Sequence, residues 1–108
     1  MSSDRTVQYA FVTASASGQT TVVAAQTNQR IVVLQCCVIT GGADNVKFQT
    51  STGNVDLTAL FPLAANGGFV MPYSSVGWFQ TGIGDALLFN QSSTISTAVQ
   101  VVWCPNNS

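Results

Sequence analysis

The sequence has very few charged side chains, and several groups on which enzyme chemistry depends are missing. It contains no His and no Glu, and its 108 residues include only three Lys or Arg and four acidic residues, all of them Asp. Charged residues make up 6% of the chain, against roughly 25% in ordinary soluble domains. General acid–base catalysis needs His, Glu, Asp or Lys side chains held close together. The composition therefore predicts a protein that is not an enzyme and has no catalytic residues.

The scarcity of cations and of long apolar runs excludes two classes of partner. Arg5, Arg30 and Lys47 are scattered along the chain, so they cannot form the basic patch that neutralises nucleic-acid phosphates. The longest apolar runs, Ile31–Leu34 and Cys36–Ile39, are far shorter than the roughly 20 residues of a membrane-spanning helix. No secretory signal follows the polar start of the sequence, which favours synthesis in a reducing cytoplasm. We expect neither nucleic acid nor membrane as a partner.

The three cysteines match no disulfide or metal pattern. Cys36 and Cys37 are adjacent and Cys104 stands alone. An odd number without a signal peptide argues against a disulfide framework, and the C-x2-C spacing of zinc sites is absent. Neighbouring residues on a strand point to opposite faces, so Cys36 and Cys37 are not expected to share a metal. We predict free cysteines that behave as small buried hydrophobic residues.

The acidic residues give no clear ligand site either. Asp44, Asp56 and Asp85 lie in or beside predicted turns, where Asp usually accepts hydrogen bonds from the turn backbone. Asp44-Asn45 in a glycine loop offers a weak alternative as part of a calcium site, but the alternating Asp run of a calcium loop is absent. We therefore expect no metal and no other cofactor.

Neutral polar residues take the place of the missing charges. Ser, Thr, Asn and Gln together supply 39 of the 108 residues, while hydrophobic residues supply 46%. A net charge of −1 gives weak self-repulsion and favours association. The composition indicates a protein that works within an assembly, with a soluble monomer as the alternative.

Short alternating segments separated by turn residues predict an all-β fold. Val, Ile, Thr and aromatic residues are common and good helix formers are scarce. The spacing of turn signals predicts eight or nine strands without a helix between them, with Arg30–Thr40 central because it is apolar on both faces. The predicted strands are Thr6–Thr13, Gln19–Ala25, Arg30–Thr40, Asn45–Ser51, Val55–Phe61, Phe69–Tyr73, Gly77–Thr81, Ala86–Gln91 and Thr94–Cys104.

This pattern favours one antiparallel β-sandwich of jelly-roll type over residues 1–108. An immunoglobulin-like sandwich is the nearest alternative, but the Cys…Trp…Cys spacing of that fold is missing. Residues 1–5 are polar and precede the first alternating segment, so we expect them to form a flexible N-terminal arm.

An aromatic cluster is the strongest candidate for an interaction site. Phe69, Tyr73, Trp78 and Phe79 lie within eleven residues around Pro72, which predicts an edge strand. Trp78 and Phe79 are adjacent and point to opposite faces if they lie on a strand. Three interpretations remain open at this point: packing in the core, a protein interface, or stacking on a sugar.

The segment from Leu60 to Leu88 resembles a recurring segment of small virion proteins of tailed bacteriophages, the head decoration or cement proteins. The similar features are Pro62 to Gly68 (PLAANGG), then Pro72, then Gly77-Trp78-Phe79, and Gly84-x-Ala86-Leu87. The long apolar strand from Ile31 to Thr40, followed by a glycine turn, is also similar.

The resemblance implies a non-enzymatic protein that binds the outside of the phage head and clamps neighbouring subunits of the major capsid protein. It implies a homo-oligomer, a trimer or a dimer, located on the virion and made in the cytoplasm of a host bacterium. No catalytic residue is carried over. We predict contacts through the arm, including Arg5, and through Phe69, Tyr73, Trp78 and Phe79. A carbohydrate-binding module on a virion or cell surface is the alternative function, and it predicts an exposed aromatic side chain beside Asn or Asp at a loop end.

Overall fold

The computed structural model describes residues 6–106, which form two antiparallel β-sheets packed face to face. The first sheet has the strand order β1-β9-β3-β6, with β7 also pairing with β3, and the second has the order β2-β8-β4-β5. The strands are β1 Gln8–Ala14, β2 Gly18–Val23, β3 Arg30–Thr40, β4 Asp44–Thr50, β5 Phe61–Leu63, β6 Gly68–Met71, β7 Phe79–Gln80, β8 Leu87–Gln91 and β9 Thr97–Asn106.

The strand order confirms the predicted jelly-roll sandwich. The chain crosses between the sheets after β1, β2, β3, β5, β7 and β8. The last two strands, β8 and β9, return to insert beside the first ones. All pairings are antiparallel. Interleaving of early and late strands in two packed layers, here of five and four strands, is the jelly-roll topology. The only helical element in residues 6–106 is a 3-10 turn at Thr52–Asn54, and no helix there is long and apolar enough to cross a membrane.

The core lies between the two sheets and is closed by aromatic rings. Phe48 and Phe89, both fully buried, meet edge to face with ring centroids 5.5 Å apart. Val99, Val101 and Trp103 are buried on the inward face of β9, as the alternation of that strand predicts. The central strand β3 begins and ends at the predicted residues. Its inward face is buried, but its outward face is covered only in part, since Ile39 is exposed.

One predicted strand is wrong. The alternation of the segment Val55–Phe61 predicts a paired strand that Pro62 ends. Instead, only an isolated bridge joins Gln49 and Asp56, and the strand β5 follows at Phe61–Leu63 with Pro62 inside it. A proline fits there because β5 is the edge of the second sheet, where its missing N–H faces no partner strand.

Candidate interaction surfaces

The predicted interface residues divide into buried and exposed members. Phe69 and Phe79 are partly buried and pack on the core, with ring centroids 4.8 Å from Phe61 and 5.2 Å from Phe48, respectively. Tyr73 and Trp78 are 58% and 48% exposed. Arg5 and the rest of the predicted arm lie outside the described residues.

Tyr73, Val76 and Trp78 form an exposed apolar surface on the loop between β6 and β7, here called the loop patch. Val76 is the most exposed of the three, at 81%. The loop is fixed to β3 by two backbone hydrogen bonds, from the Ser74 N–H to the Leu34 carbonyl at 2.8 Å and from the Trp78 N–H to the Val33 carbonyl at 2.8 Å. The patch is therefore presented by a backbone that is held in place, which lowers the ordering cost of binding.

Gly77 allows the loop to lie against the sheet. Its φ is +90°, and a Cβ at this position would lie 2.5 Å from the Val32 Cγ1. Val32 and Leu34 form a small second cluster with Cys104 on the outer side of the first sheet. The loop covers this end of the sheet, and a larger residue at Gly77 would push it away.

The other end of the same outer side is uncovered, and sequence analysis did not identify it. Tyr9 and Phe11 on β1 are 75% and 81% exposed, Ile39 on β3 is 54% exposed and Val70 on β6 is 61% exposed. The strand register places them on one side, because Phe11 is opposite Gln100 while Ile39 is opposite Ala98. We call this surface, defined by Tyr9, Phe11, Ile39 and Val70, the open face.

A groove crosses the open face between Phe11 and Ile39. It has a volume of about 210 Å³. Its floor is the outward side of β9, where Ala98 and Gln100 lie between Phe11 on β1 and Ile39 on β3. Cys37 lines the same groove. Because alanine is small, the centre of the sheet is lower than the two sides.

The outer surface of the second sheet has the opposite character. Its side chains hydrogen-bond one another: the Gln19 Nε2 donates to the Gln49 Oε1 at 2.9 Å, and the Asn90 Nδ2 donates to the same oxygen at 3.0 Å. Lys47 and Asp56 form an ion pair at 3.1 Å on this side. These polar groups satisfy one another and face water, so this surface is not apolar.

The charges of the described residues all lie away from the open face. Asp44 and Asp85 are buried, Lys47 and Asp56 pair on the second sheet, and Arg30 lies at the start of β3, where it donates to the Thr81 carbonyl at 3.2 Å. The pKa of Asp56 is lowered by the hydrogen bond from Gln49, with a further contribution from Lys47. The open face is therefore neutral and presents only apolar and uncharged polar groups.

The two buried carboxylates serve the structure of turns. The Asp44 Oδ1 accepts hydrogen bonds from the backbone N–H groups of Asn45, Ser92 and Ser93 at 2.9, 3.0 and 3.0 Å. Asp85 accepts from the hydroxyls of Thr50 and Thr52, and these bonds lower its pKa against the opposing effect of burial. Asp44 accepts from backbone N–H groups at a turn, as the sequence predicts. Asp85 accepts chiefly from the side-chain hydroxyls of Thr50 and Thr52, which the sequence pattern does not indicate.

The cysteines are free in the structure. Burial raises the pKa of the Cys36 thiol to about 11, which keeps it protonated and unreactive at neutral pH. Within residues 6–106, no three His, Cys, Asp or Glu side chains come together in a group that could hold a metal ion.

A hollow beside Trp78 is where the carbohydrate-binding alternative would place a sugar. It is lined by Val32, Phe79, Gln80 and the loop residues from Val76 to Trp78. The Trp78 Nε1 donates to the Pro72 carbonyl at 2.7 Å. The hollow thus has an exposed indole and one amide, and its lining contains neither Asn nor Asp.

Comparison with known proteins finds similarity among solved structures. No family model matches the chain, and no curated protein matches its sequence. Among solved structures, it is similar to a chain in the cryo-EM structure of the VLP of extra small virus of the giant freshwater prawn Macrobrachium rosenbergii. The TM-score is 0.47 at 9% identity, over 97% of this chain and 80% of that chain. These comparisons assign the chain to no family.

Proposed function

We propose that the chain is a structural virion protein, a decoration protein that binds the outer surface of a phage head and clamps neighbouring major capsid protein subunits. The observation that carries the proposal is the presence of two separate exposed apolar surfaces, the loop patch and the open face, on a chain with 6% charged residues. The sequence resemblance of the Leu60 to Leu88 segment to decoration proteins supports the same function.

A clamp needs more than one adhesive surface, because it must hold the shell and also a neighbour. The two surfaces occupy different parts of the first sheet's outer side. Large contiguous apolar surfaces on soluble proteins generally mark interaction sites. Their separation fits a protein that connects two partners.

We assign the capsid contact to the loop patch. Tyr and Trp are the residue types most often found at the energetic centre of interfaces, and here Tyr73 and Trp78 are carried on a loop that is fixed to β3. No charged side chain of the described residues lies in this patch, so docking there avoids the cost of desolvating ions. Many symmetry-related copies on a head then add to the strength of the attachment.

The proposal is tested by adding purified protein to heads that lack it and measuring the bound fraction after sedimentation. The double variant Tyr73→Ser, Val76→Ser should weaken binding at least about tenfold, since losing a central interface contact costs more than about 1.4 kcal/mol. Leu60→Ser is the control, because Leu60 is 55% exposed and precedes β5 of the second sheet. Wild-type protein that does not bind heads, or a double variant that binds as the wild type does, would contradict the proposal.

The N-terminal arm has its own test in the same assay. Removal of Met1–Arg5 should weaken capsid binding while the fold remains intact, as judged by circular dichroism. Unchanged occupancy on the heads after this deletion would remove the arm and Arg5 from the interface, and would leave the loop patch as the contact.

A further inference from the structure

We infer that the open face is a self-association surface, on which a second copy of this chain packs face to face across a two-fold axis. The inference rests on the proposed assembly function for its biological meaning, but its structural basis and its test are separate. It assigns a partner to a surface that is distinct from the loop patch.

The shape of the open face is complementary to itself. Phe11 projects from β1 at 81% exposure, and beside it lies the groove over Ala98. When two copies face each other across a two-fold axis, each contact is made twice, with the same surface on both copies. The Phe11 ring of one copy then fits over the Ala98 floor of the other, and the reverse contact follows from the symmetry.

The chemistry of the face also permits self-contact. Two identical surfaces bring identical charges together, and like charges in contact are unfavourable. Among the described residues the open face has no charge, and its polar groups are neutral, such as the amide of Gln100. An amide is both donor and acceptor, so Gln100 can pair with its own copy.

The area of the open face is that of a weak dimer. Tyr9 and Phe11 are 75% and 81% exposed, and an aromatic side chain buries roughly 150–250 Å², so these two alone leave about 300 Å² in water. The four strands span about 19 Å, and the seven residues of β1 extend about 24 Å. The face is thus about 450 Å² in projection, with more accessible area because side chains protrude, and a standard interface takes about 800 Å² from each partner.

The arrangement is a known type of sheet packing. Two sheets that meet face to face lie about 10 Å apart with interdigitating side chains. The network of amides and the ion pair on the second sheet stay on the outside of such a dimer. The loop patch, at the other end, is left for a different partner.

The inference is tested on the full chain by sedimentation equilibrium, at up to about 100 µM because an interface of this size can be weak. Wild type should be a dimer. Val70→Lys should raise the dissociation constant at least about 100-fold, because the interface gives the ammonium no partner. Val55→Lys is the matched control: Val55 is 57% exposed against 61% for Val70, but it follows the 3-10 turn beside the second sheet. Phe11→Lys should act as Val70→Lys does.

Cys37 supplies a second measurement, since it lines the groove. Its rate of alkylation should fall as the wild-type concentration rises, and should not depend on concentration in Val70→Lys. A wild-type monomer at all concentrations would overturn the inference, as would an oligomer that Val70→Lys leaves intact. Either result is independent of capsid binding, because sedimentation and alkylation are both measured on the purified protein without heads.

Discussion

Replacement of Asp44 by Ala should destabilise the protein strongly, because one carboxylate oxygen ties together two segments that are distant in sequence. The Asp44 Oδ1 accepts the N–H groups of Asn45, Ser92 and Ser93, together with the Ser92 hydroxyl at 3.1 Å. Asp44 is 4% exposed. The substitution therefore removes the acceptor of a nearly buried cluster.

The size of the effect follows from which donors have another acceptor. The Asn45 N–H also donates to the Ser92 hydroxyl, and the Ser92 N–H also donates to the Asn45 carbonyl. Among the described contacts, the Ser93 N–H has only the carboxylate. A hydrogen bond to a charged group contributes about 1.5–3 kcal/mol. The half-buried Ser93 N–H, left without an acceptor, adds to this cost. We expect Asp44→Ala to lower the free energy of unfolding by about 3 kcal/mol.

Asp44→Asn separates the loss of the acceptor from the loss of charge. The amide oxygen can accept the same N–H groups, so this variant should lose only about 1 kcal/mol. Urea unfolding measures both values, and in a domain of this size 3 kcal/mol corresponds to a fall in Tm of about 15 °C. If the two variants lost the same amount, or if Ala cost less than about 1 kcal/mol, the role assigned to this carboxylate would be wrong.

Three further predictions concern stability and reactivity. The pKa of Asp85 lies below its ordinary value of 3.8. The ionised carboxylate therefore stabilises the fold fully above that value, and this stabilisation is lost as the pH falls through the folded-state pKa. In urea unfolding between about pH 5 and 2, the free energy of unfolding of Asp85→Asn should fall less steeply with pH than that of the wild type. Iodoacetamide near pH 8 should modify Cys37 well before Cys36, whose pKa is raised to about 11 by burial; peptide mapping that finds Cys36 first would contradict this. Gly77→Ala should lower the free energy of unfolding by about 2 kcal/mol or more, against about 1 kcal/mol for Gly84→Ala. Both glycines have a positive φ, but only at Gly77 would the added Cβ collide with a valine side chain. Equal free energies of unfolding for the two variants would reject the steric argument.

The sequence was sufficient for strands whose two faces are defined by local pattern. The apolar pattern of Arg30–Thr40 predicts the bounds of the central strand correctly. The alternation in β9 predicts correctly which of its side chains are buried. The segment Val55–Phe61 has the same alternation but does not pair as a strand. The Phe48 N–H donates to the Thr58 hydroxyl at 3.1 Å, so a side chain takes the place of a backbone acceptor. The alternation of apolar and polar residues does not predict this replacement.

The open face could not be predicted because alternation does not say which side of a strand is inside. Tyr9 and Phe11 share a face of β1, and the larger apolar side chains would ordinarily be buried. In the structure Ala10, Val12 and Ala14 face the core instead, because the pairing of β1 with β9 places them opposite Val101, Val99 and Thr97. That pairing joins the two ends of the chain, and only the fold determines it.

Which aromatic side chains of the Phe69 to Phe79 cluster are exposed could be predicted only in part. An aromatic cluster around a proline indicated an edge and an interface, and Tyr73 and Trp78 are exposed. Phe69 and Phe79 come from the same cluster but are turned toward the rings of Phe61 and Phe48. Composition locates such a cluster along the chain, while strand direction decides which of its rings reach the surface.

The measurement that tests the proposed function most directly is quantitative mass spectrometry of purified phage particles assembled in a host that expresses this chain. If the protein acts by binding and connecting capsid subunits, purified particles should contain many copies of it in a fixed ratio to the major capsid protein. Particles that never contain it, together with isolated protein that captures a sugar or converts a substrate, would contradict the account.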